Sequence, residues 1–268
     1  MALAVLAGLL SILSGGGPVG RGGDGVELPS LRLAELTWTE IHAALEQGFD
    51  TVIVPTGGTE QNGPHLVLGK HNDIVDYTSV RIADELGRTL VAPVLAYVPE
   101  GDIEPRPQGH MEYPGTISLP ENVFEAVLEA AARSLKAHGF KRIFFIGDSG
   151  GNQDAQARIA AKLQNVWRDD DILVAQIGDY YAANGQMEEL LAQGFSAEEI
   201  GTHAGIRDTS ELAFVRSSGV RADPLAAPAG MRSGANGDAA RASAAIGSRM
   251  VELKIAAALA QIGGLGKP

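Results

Sequence analysis

The sequence of 268 residues contains no cysteine. That absence excludes disulfides, thiolate metal sites and cysteine nucleophiles together, although it fixes no compartment. Positive charge is also scarce: 21 Lys and Arg stand against 33 Asp and Glu, a formal net charge of −12. Phosphate recognition depends on Lys and Arg, so a nucleic-acid partner is not expected. There is no internal repeat, and no apolar run reaches the roughly 20 residues needed to cross a bilayer. What the chain does have is 45% hydrophobic residues and enough length for one α/β domain with a substantial core.

The longest apolar run is Ala2 to Leu13 (ALAVLAGLLSIL), followed by Ser14, three glycines and a Gly/Pro-rich stretch. It fits the h-region of a signal peptide, but no Lys or Arg precedes Arg21. The expectation is a signal segment and linker over residues 1–27, with the domain over residues 28–268. The protein would then be periplasmic or secreted, with no membrane association once the signal is removed. The other reading is an apolar N-terminal helix packed on a neighbour in a cytoplasmic protein.

Strands and helices alternate along the rest. Apolar spacing predicts helices over 37–47, 74–86, 121–138, 152–167, 187–193, 208–215 and 238–262. Runs rich in β-branched and aromatic residues predict strands at 51–54, 90–98, 142–146 and 172–177. This alternation means βαβ units, a mainly parallel sheet and a three-layer α/β/α architecture.

The chemistry gathers just past the first strand, in GGTEQNGPHLVLGKHND (Gly57 to Asp73). A carboxylate and two imidazoles within twelve residues (Glu60, His65 and His71), just past a strand end, is where open α/β sheets place their sites. This stretch resembles the signature loop of the creatininase (creatinine amidohydrolase) family. PGTISLP (Pro114 to Pro120), GDSGGN (Gly147 to Asn152) and HAGIRDTSE (His203 to Glu211) resemble three further segments of that family, in the same order. The resemblance implies the three-layer fold, hydrolysis of an amide C–N bond in a small molecule, divalent metal and a homo-oligomer, a hexamer in the family.

The family's pattern holds two cations on a Glu, a His two residues later, an Asp eleven residues past the Glu, a later His and a further carboxylate. Carried over by position, Glu60 matches the Glu, Asn62 stands at the first His, His71 at the bridging Asp, and Ser149 at the later His. An imidazole offers a metal one lone pair where a carboxylate can bridge two. One ion (Zn, Mn or Fe) is therefore expected rather than two, held by Glu60 and His71 with Asp148, Asn62, Asp73 or His203 nearby. The resemblance also places His203 and Asp208 at the substrate, the His as proton donor and the acid as its partner, with Glu211 a competitor.

Other readings stay open. Gly147 to Gly151 satisfies G-x-S-x-G between a strand and a helix, so Ser149 could be a nucleophile with His203 as base and Asp179 behind it, or simply a helix cap. His71 and Asn72 could serve only to form a turn, and Asp208 only to start a helix. His110 and Glu112 could line the pocket, while His65 reads as structural. A family member that binds a small molecule without turning it over is the remaining alternative.

Overall fold

The computed structural model describes residues 27–228 and 230–266; the apolar N-terminal run lies outside them. Among the described residues the first α-helix is α1 (Trp38–Glu46). Thr37 starts it: its hydroxyl accepts from the Glu40 amide while the Glu40 carboxylate accepts from the Thr37 amide, satisfying two amides that a helix end leaves open. Strand β1 (Thr51–Thr56) follows, buried along its whole length. After it come α2 (Lys70–Leu86), β2 (Thr89–Val91), α3 (Glu121–Ala137), β3 (Arg142–Gly147), α4 (Gln153–Val166) and β4 (Leu173–Gln176). The chain closes with α5 (Gln186–Ala192), α6 (Ala197–Ile200), α7 (Ile206–Val215) and α8 (Ala244–Gly264).

The four strands form one sheet in the order β2-β1-β3-β4, every pair parallel. Val52, Ile53, Val54, Ile143, Phe144 and Phe145 are fully buried in it, and each such side chain contributes about 1.5–3 kcal/mol by leaving water. The order also determines where a site can form. From β1 the chain crosses to β2 on one side, and from β3 to β4 on the other. With right-handed crossovers, α2 lies on one face and α3 and α4 on the opposite one. The carboxyl ends of β1 and β3 therefore flank the point where the winding reverses, and the connections leaving them diverge to open a crevice.

Three element boundaries differ most from the sequence-based expectation. Helix α2 begins at Lys70 rather than Ile74, so His71, Asn72 and Asp73 lie in its first turn, where Asp73 complements the helix dipole. The strand expected over 90–98 stops at Val91, because Pro93 has no amide to continue the ladder; pairing resumes only as a single bridge from Leu95 to Thr56. Helix α8 starts six residues late, at Ala244 instead of Asp238, capped by the Ser243 hydroxyl accepting from the Ile246 amide.

Helices α7 and α8 make the most extensive helix pair of the molecule. A Cβ on Gly247 would stand 1.8 Å from the Ser210 carbonyl oxygen, whereas one on Gly263 would meet nothing within 4 Å. Gly247→Ala should therefore cost about 2–3 kcal/mol by overpacking. Gly263→Ala should be neutral or gain about 0.5–1 kcal/mol. Urea denaturation of the two variants tests this, and equal effects would contradict the close α7–α8 approach.

Candidate functional site

Two turns at the carboxyl ends of β1 and β3 build the floor of the crevice. Asn152, from the segment after β3, ties them together: its side-chain amide donates to the Thr56 hydroxyl at 2.8 Å and to the Gly57 carbonyl at 2.8 Å. The Gly57-Gly58 pair is dictated by close approach. A Cβ on Gly57 would sit 2.0 Å from Asn72 Oδ1, and one on Gly58 2.1 Å from Glu100 Oε1. The space they leave lets the loop turn Glu60 inward, into a cavity of about 500 Å³ that it lines with His71, His110, Asp148, His203 and Arg207.

Charge in this cavity is balanced by buried ion pairs. Lys254, from α8, places Nζ 2.6 Å from Asp148 Oδ1 and 3.0 Å from Glu211 Oε2. Tyr180 donates its hydroxyl to Asp148 Oδ1 at 2.8 Å. Asp148 Oδ2 lies 2.7 Å from His71 Nδ1, and the other ring nitrogen of His71 lies 2.8 Å from Glu60 Oε1. Lys70 pairs with Asp208 at 3.0 Å, whose same oxygen accepts the Ala204 amide and so holds that residue at φ 54°. The carboxylates of Glu60, Asp148, Asp208 and Glu211 thus meet the cations His71, Lys70, Lys254 and Arg207 one for one.

The titration behaviour follows from these contacts. Burial disfavours ionised Glu60, but the hydrogen bond and charge of His71 outweigh it and hold the carboxyl well below the usual range. For Asp148, burial is likewise overcome by Lys254 and then His71. Burial and Lys70 oppose a charge on His71, yet its bonds to Asp148 and Glu60 win and raise its pKa. An imidazole between two carboxylates donates from both nitrogens. His71 therefore stands as an imidazolium with no lone pair to give a metal. Glu100 behaves differently: burial and the adjacent Glu60 charge push its carboxyl up to about 10, so it stays protonated. Two neighbouring carboxyls with pKa values driven apart are suited to acid and base roles.

A metal-ligand set does remain, on other residues. Glu60, His110 and His203 each offer an atom within 4.8 Å of the others. His203 Nε2 donates to the Gln61 carbonyl at 2.9 Å, leaving Nδ1 with its lone pair toward Glu60 Oε1 at 3.8 Å. Two acceptors facing each other with no proton between them is the setting that a cation relieves, and the backbone carbonyl behind His203 is the outer partner that metal-bound imidazoles use. Burial lowers the pKa of both His110 and His203, keeping them neutral as ligands must be. His110 donates Nε2–H to Glu60 Oε2 at 3.1 Å while its Nδ1 lies 2.9 Å from the Gln61 amide nitrogen. For Nε2 to bind an ion, its proton must move to Nδ1 and the Gln61 amide must turn over. Two imidazoles and a carboxylate suit Zn, Mn or Fe(II).

The residues singled out from sequence are distributed as follows. Glu60, Asp148, Ser149, His203 and Asp208 all reach the cavity. Asp148 and Asp208 have both carboxylate oxygens engaged by protein donors. Asn62 is buried and donates to the Glu60 carbonyl at 3.0 Å, outside the ligand cluster. Ser149 neither caps a helix nor meets an imidazole; its hydroxyl lies 3.4 Å from Glu100 Oε2. Asp179 is exposed, so the Ser–His–Asp order in sequence forms no triad. Asp73 pairs with Arg216 at 2.9 Å, Glu112 is exposed, and His65 bonds Ala204 and Thr209 as a structural residue. Sequence reasoning missed Lys70 and Lys254 as site cations, and it missed Glu100 altogether.

A family model described as Creatininase: Creatinine amidohydrolase matches residues 34–262. The chain belongs to the creatininase family. Among similar proteins, the mycofactocin precursor peptide peptidase of Mycolicibacterium smegmatis is 30% identical over 181 residues, 64% of this chain and 70% of that one. The creatinine amidohydrolase of Pseudomonas putida is 26% identical over 191 residues, 68% and 70% of the two chains. A crystal structure of creatinine amidohydrolase superposes with a TM-score of 0.69 at 22% identity, covering 87% of this chain and 97% of that one. Solved creatininases of similar fold include an Mn form and a Zn–Zn form. The fold expected from sequence, a parallel sheet flanked by helices as in creatininase, is the fold observed.

Two predictions follow from the ion pairs. Lys254→Met strands Asp148 and Glu211 in the interior and should cost about 3–5 kcal/mol in urea denaturation; a loss under about 1 kcal/mol would mean that water already reaches this network. The second concerns pH. Glu60 and Asp148, with lowered folded pKa values, stabilise above the usual carboxylate range and lose that contribution on acidification. His71, raised, stabilises fully below about 6.5 and less as pH climbs. Glu100 binds its proton more tightly when folded, so its contribution also falls as pH rises from 4.5 toward about 10. Between about pH 5 and pH 9 the Tm of metal-free protein should fall, and Glu100→Gln should fall less. Parallel curves would place Glu100 in water.

Proposed function

We propose that this protein hydrolyses an amide C–N bond of a small molecule, using one divalent cation (Zn, Mn or Fe) at Glu60, His110 and His203. The observation that carries the reading is Nδ1 of His203, left without a proton when Nε2 donates to the Gln61 carbonyl, facing the Glu60 carboxylate beside a second imidazole, His110, inside the cavity at the winding reversal. A cation so held would polarise an amide carbonyl and lower the pKa of a bound water. The chain's own residues do the rest. Gln61 orients both imidazoles through its side-chain amide and its carbonyl. Glu100, protonated beside Glu60, has a proton to give to a departing nitrogen. Asp148 and Asp208 hold His71 and Lys70 in place instead of touching the reacting bond.

A single ion is favoured over two because a second would need oxygens already committed to Lys254, Tyr180 and His71. The peptidase relative keeps peptide bonds within the class of amides worth assaying, alongside the cyclic amide of creatinine.

Protein loaded with Zn or Mn and desalted should hold about one ion per chain by elemental analysis. Glu60→Ala and His203→Ala should each weaken that binding by more than the about 10- to 100-fold that loss of an outer-shell partner costs, and amide hydrolysis should vanish with it. Undiminished metal content in both variants, or turnover persisting in Glu60→Ala, would overturn the reading.

A further inference from the structure

The same cavity is lined by a second set of polar groups, remote in sequence from the signature loop. Arg207 lies in the first turn of α7 and lines the cavity. Its neighbours are already served: Asp208 has Lys70 at 3.0 Å and Glu211 has Lys254 at 3.0 Å. Arg207 touches Asp208 through Nε alone, at 3.3 Å. Among the described residues its two terminal nitrogens have no hydrogen-bond partner, although the side chain is only 26% exposed. A guanidinium presents its terminal N–H groups as a planar fork that matches a carboxylate. Leaving such a fork half-buried and unpaired is costly unless something binds it.

Tyr181 lines the cavity as well, and its hydroxyl has no protein partner among the described residues. It lies close enough for its charge state to respond to Arg207. A Cβ on Gly150 would come within 3.0 Å of that hydroxyl, so the glycine keeps the space beside it open. Two unpaired donors, one cationic, thus face the cavity that Glu60, His110 and His203 also line.

We propose that Arg207, assisted by Tyr181, binds a carboxylate of the substrate, so that the amide cleaved belongs to an N-acyl amino acid or to the C-terminal residue of a short peptide. This deepens the hydrolase reading and rests on it for the bond cleaved, but the binding claim stands separately. Around Glu60 the cavity offers ligand atoms, whereas at Arg207 it offers cationic N–H donors that no carboxylate among the described residues accepts. A substrate with an uncharged amide at one end and a carboxylate at the other is complementary to that polarity, and creatinine, which carries no carboxylate, is not. Asp208 and Glu211 limit what else can bind there: a cation would meet Arg207, and a second anion would meet two carboxylates.

The test compares ligands that differ only in that group. N-acetylglycine and N-acetylglycinamide are titrated into the metal-loaded protein by calorimetry, and Gly-Gly is compared with its C-terminal amide. The two pairs separate a free acyl amino acid from a peptide end. Wild type should prefer the free carboxylate by about 10- to 100-fold, the range of hydrogen bonds to a charged group. Arg207→Gln should erase the preference while leaving the carboxamides unchanged, and Arg207→Lys should restore part of it. Where hydrolysis is measured, the loss should fall on KM more than on kcat. Equal binding of acid and amide by wild type, or a preference that survives in Arg207→Gln, would overturn the proposal. Carboxylate binding without turnover of any amide would instead overturn the hydrolase reading and leave this one standing.

Discussion

The ammonium of Lys254 between Asp148 and Glu211 is the contact on which the rest of the site depends. It joins three parts of the chain: the turn after β3, helix α7 and helix α8, with 106 residues separating the lysine from Asp148. Isolated charges at this depth cost several kcal/mol each, and only close pairing with further hydrogen bonds offsets that. The pairing is complete. Asp148 also receives Tyr180 and His71, and Glu211 also receives Gln186. Helix α8 therefore cannot slide along α7 without stranding a buried carboxylate, and the close approach of Gly247 to Ser210 fixes the same register sterically.

This arrangement also bears on metal chemistry. Where the family pattern has carboxylate and imidazole ligands, this chain has Asn62, His71 and Ser149. His71 lies as a cation between two carboxylates, and Lys254 supplies a second fixed positive charge to Asp148. The four buried carboxylates are thus matched by cations of the chain itself. Among the described residues one ligand cluster remains, where the lone pairs of Glu60 and His203 face one another beside His110.

The sheet was legible in the sequence because its strands are short apolar runs bounded by glycine or proline, and β1 and β3 were found almost to the residue. The turns after them were legible because open parallel sheets put polar loops at one edge. The roles within those loops were not. His71 reads as a loop residue beside Glu60, but the helix begins one residue before it, which turns the ring between two acids. Lys254 sits in MVELKIAAALA, where a lone lysine on an apolar helix reads as a snorkelling surface residue. Only the fold reveals the partners that keep it inside. Glu100 lies in a loop, and its neutrality depends on Glu60, forty residues away. The GDSGG string suggested a nucleophile, yet the decisive fact was which group stood next to Ser149, and that is a carboxyl.

Gln61 connects these observations. Its Oε1 accepts the Gly63 amide at 3.0 Å and its Nε2 donates to the Gly234 carbonyl at 3.0 Å, which sets the direction of the side-chain amide before any ion binds. That direction makes Nδ1 of His110 an acceptor and so places the His110 proton on Nε2, against Glu60. Gly234 belongs to the long connection between α7 and α8, which is fastened to the site by the Asn236 amide donating to the His203 carbonyl at 2.7 Å. The same connection thus anchors one imidazole through its backbone and sets the tautomer of the other through Gln61. A segment that reads in sequence as a Gly/Ala/Pro-rich loop, with no titratable group at its contact points, governs which nitrogen lone pairs the candidate centre can present.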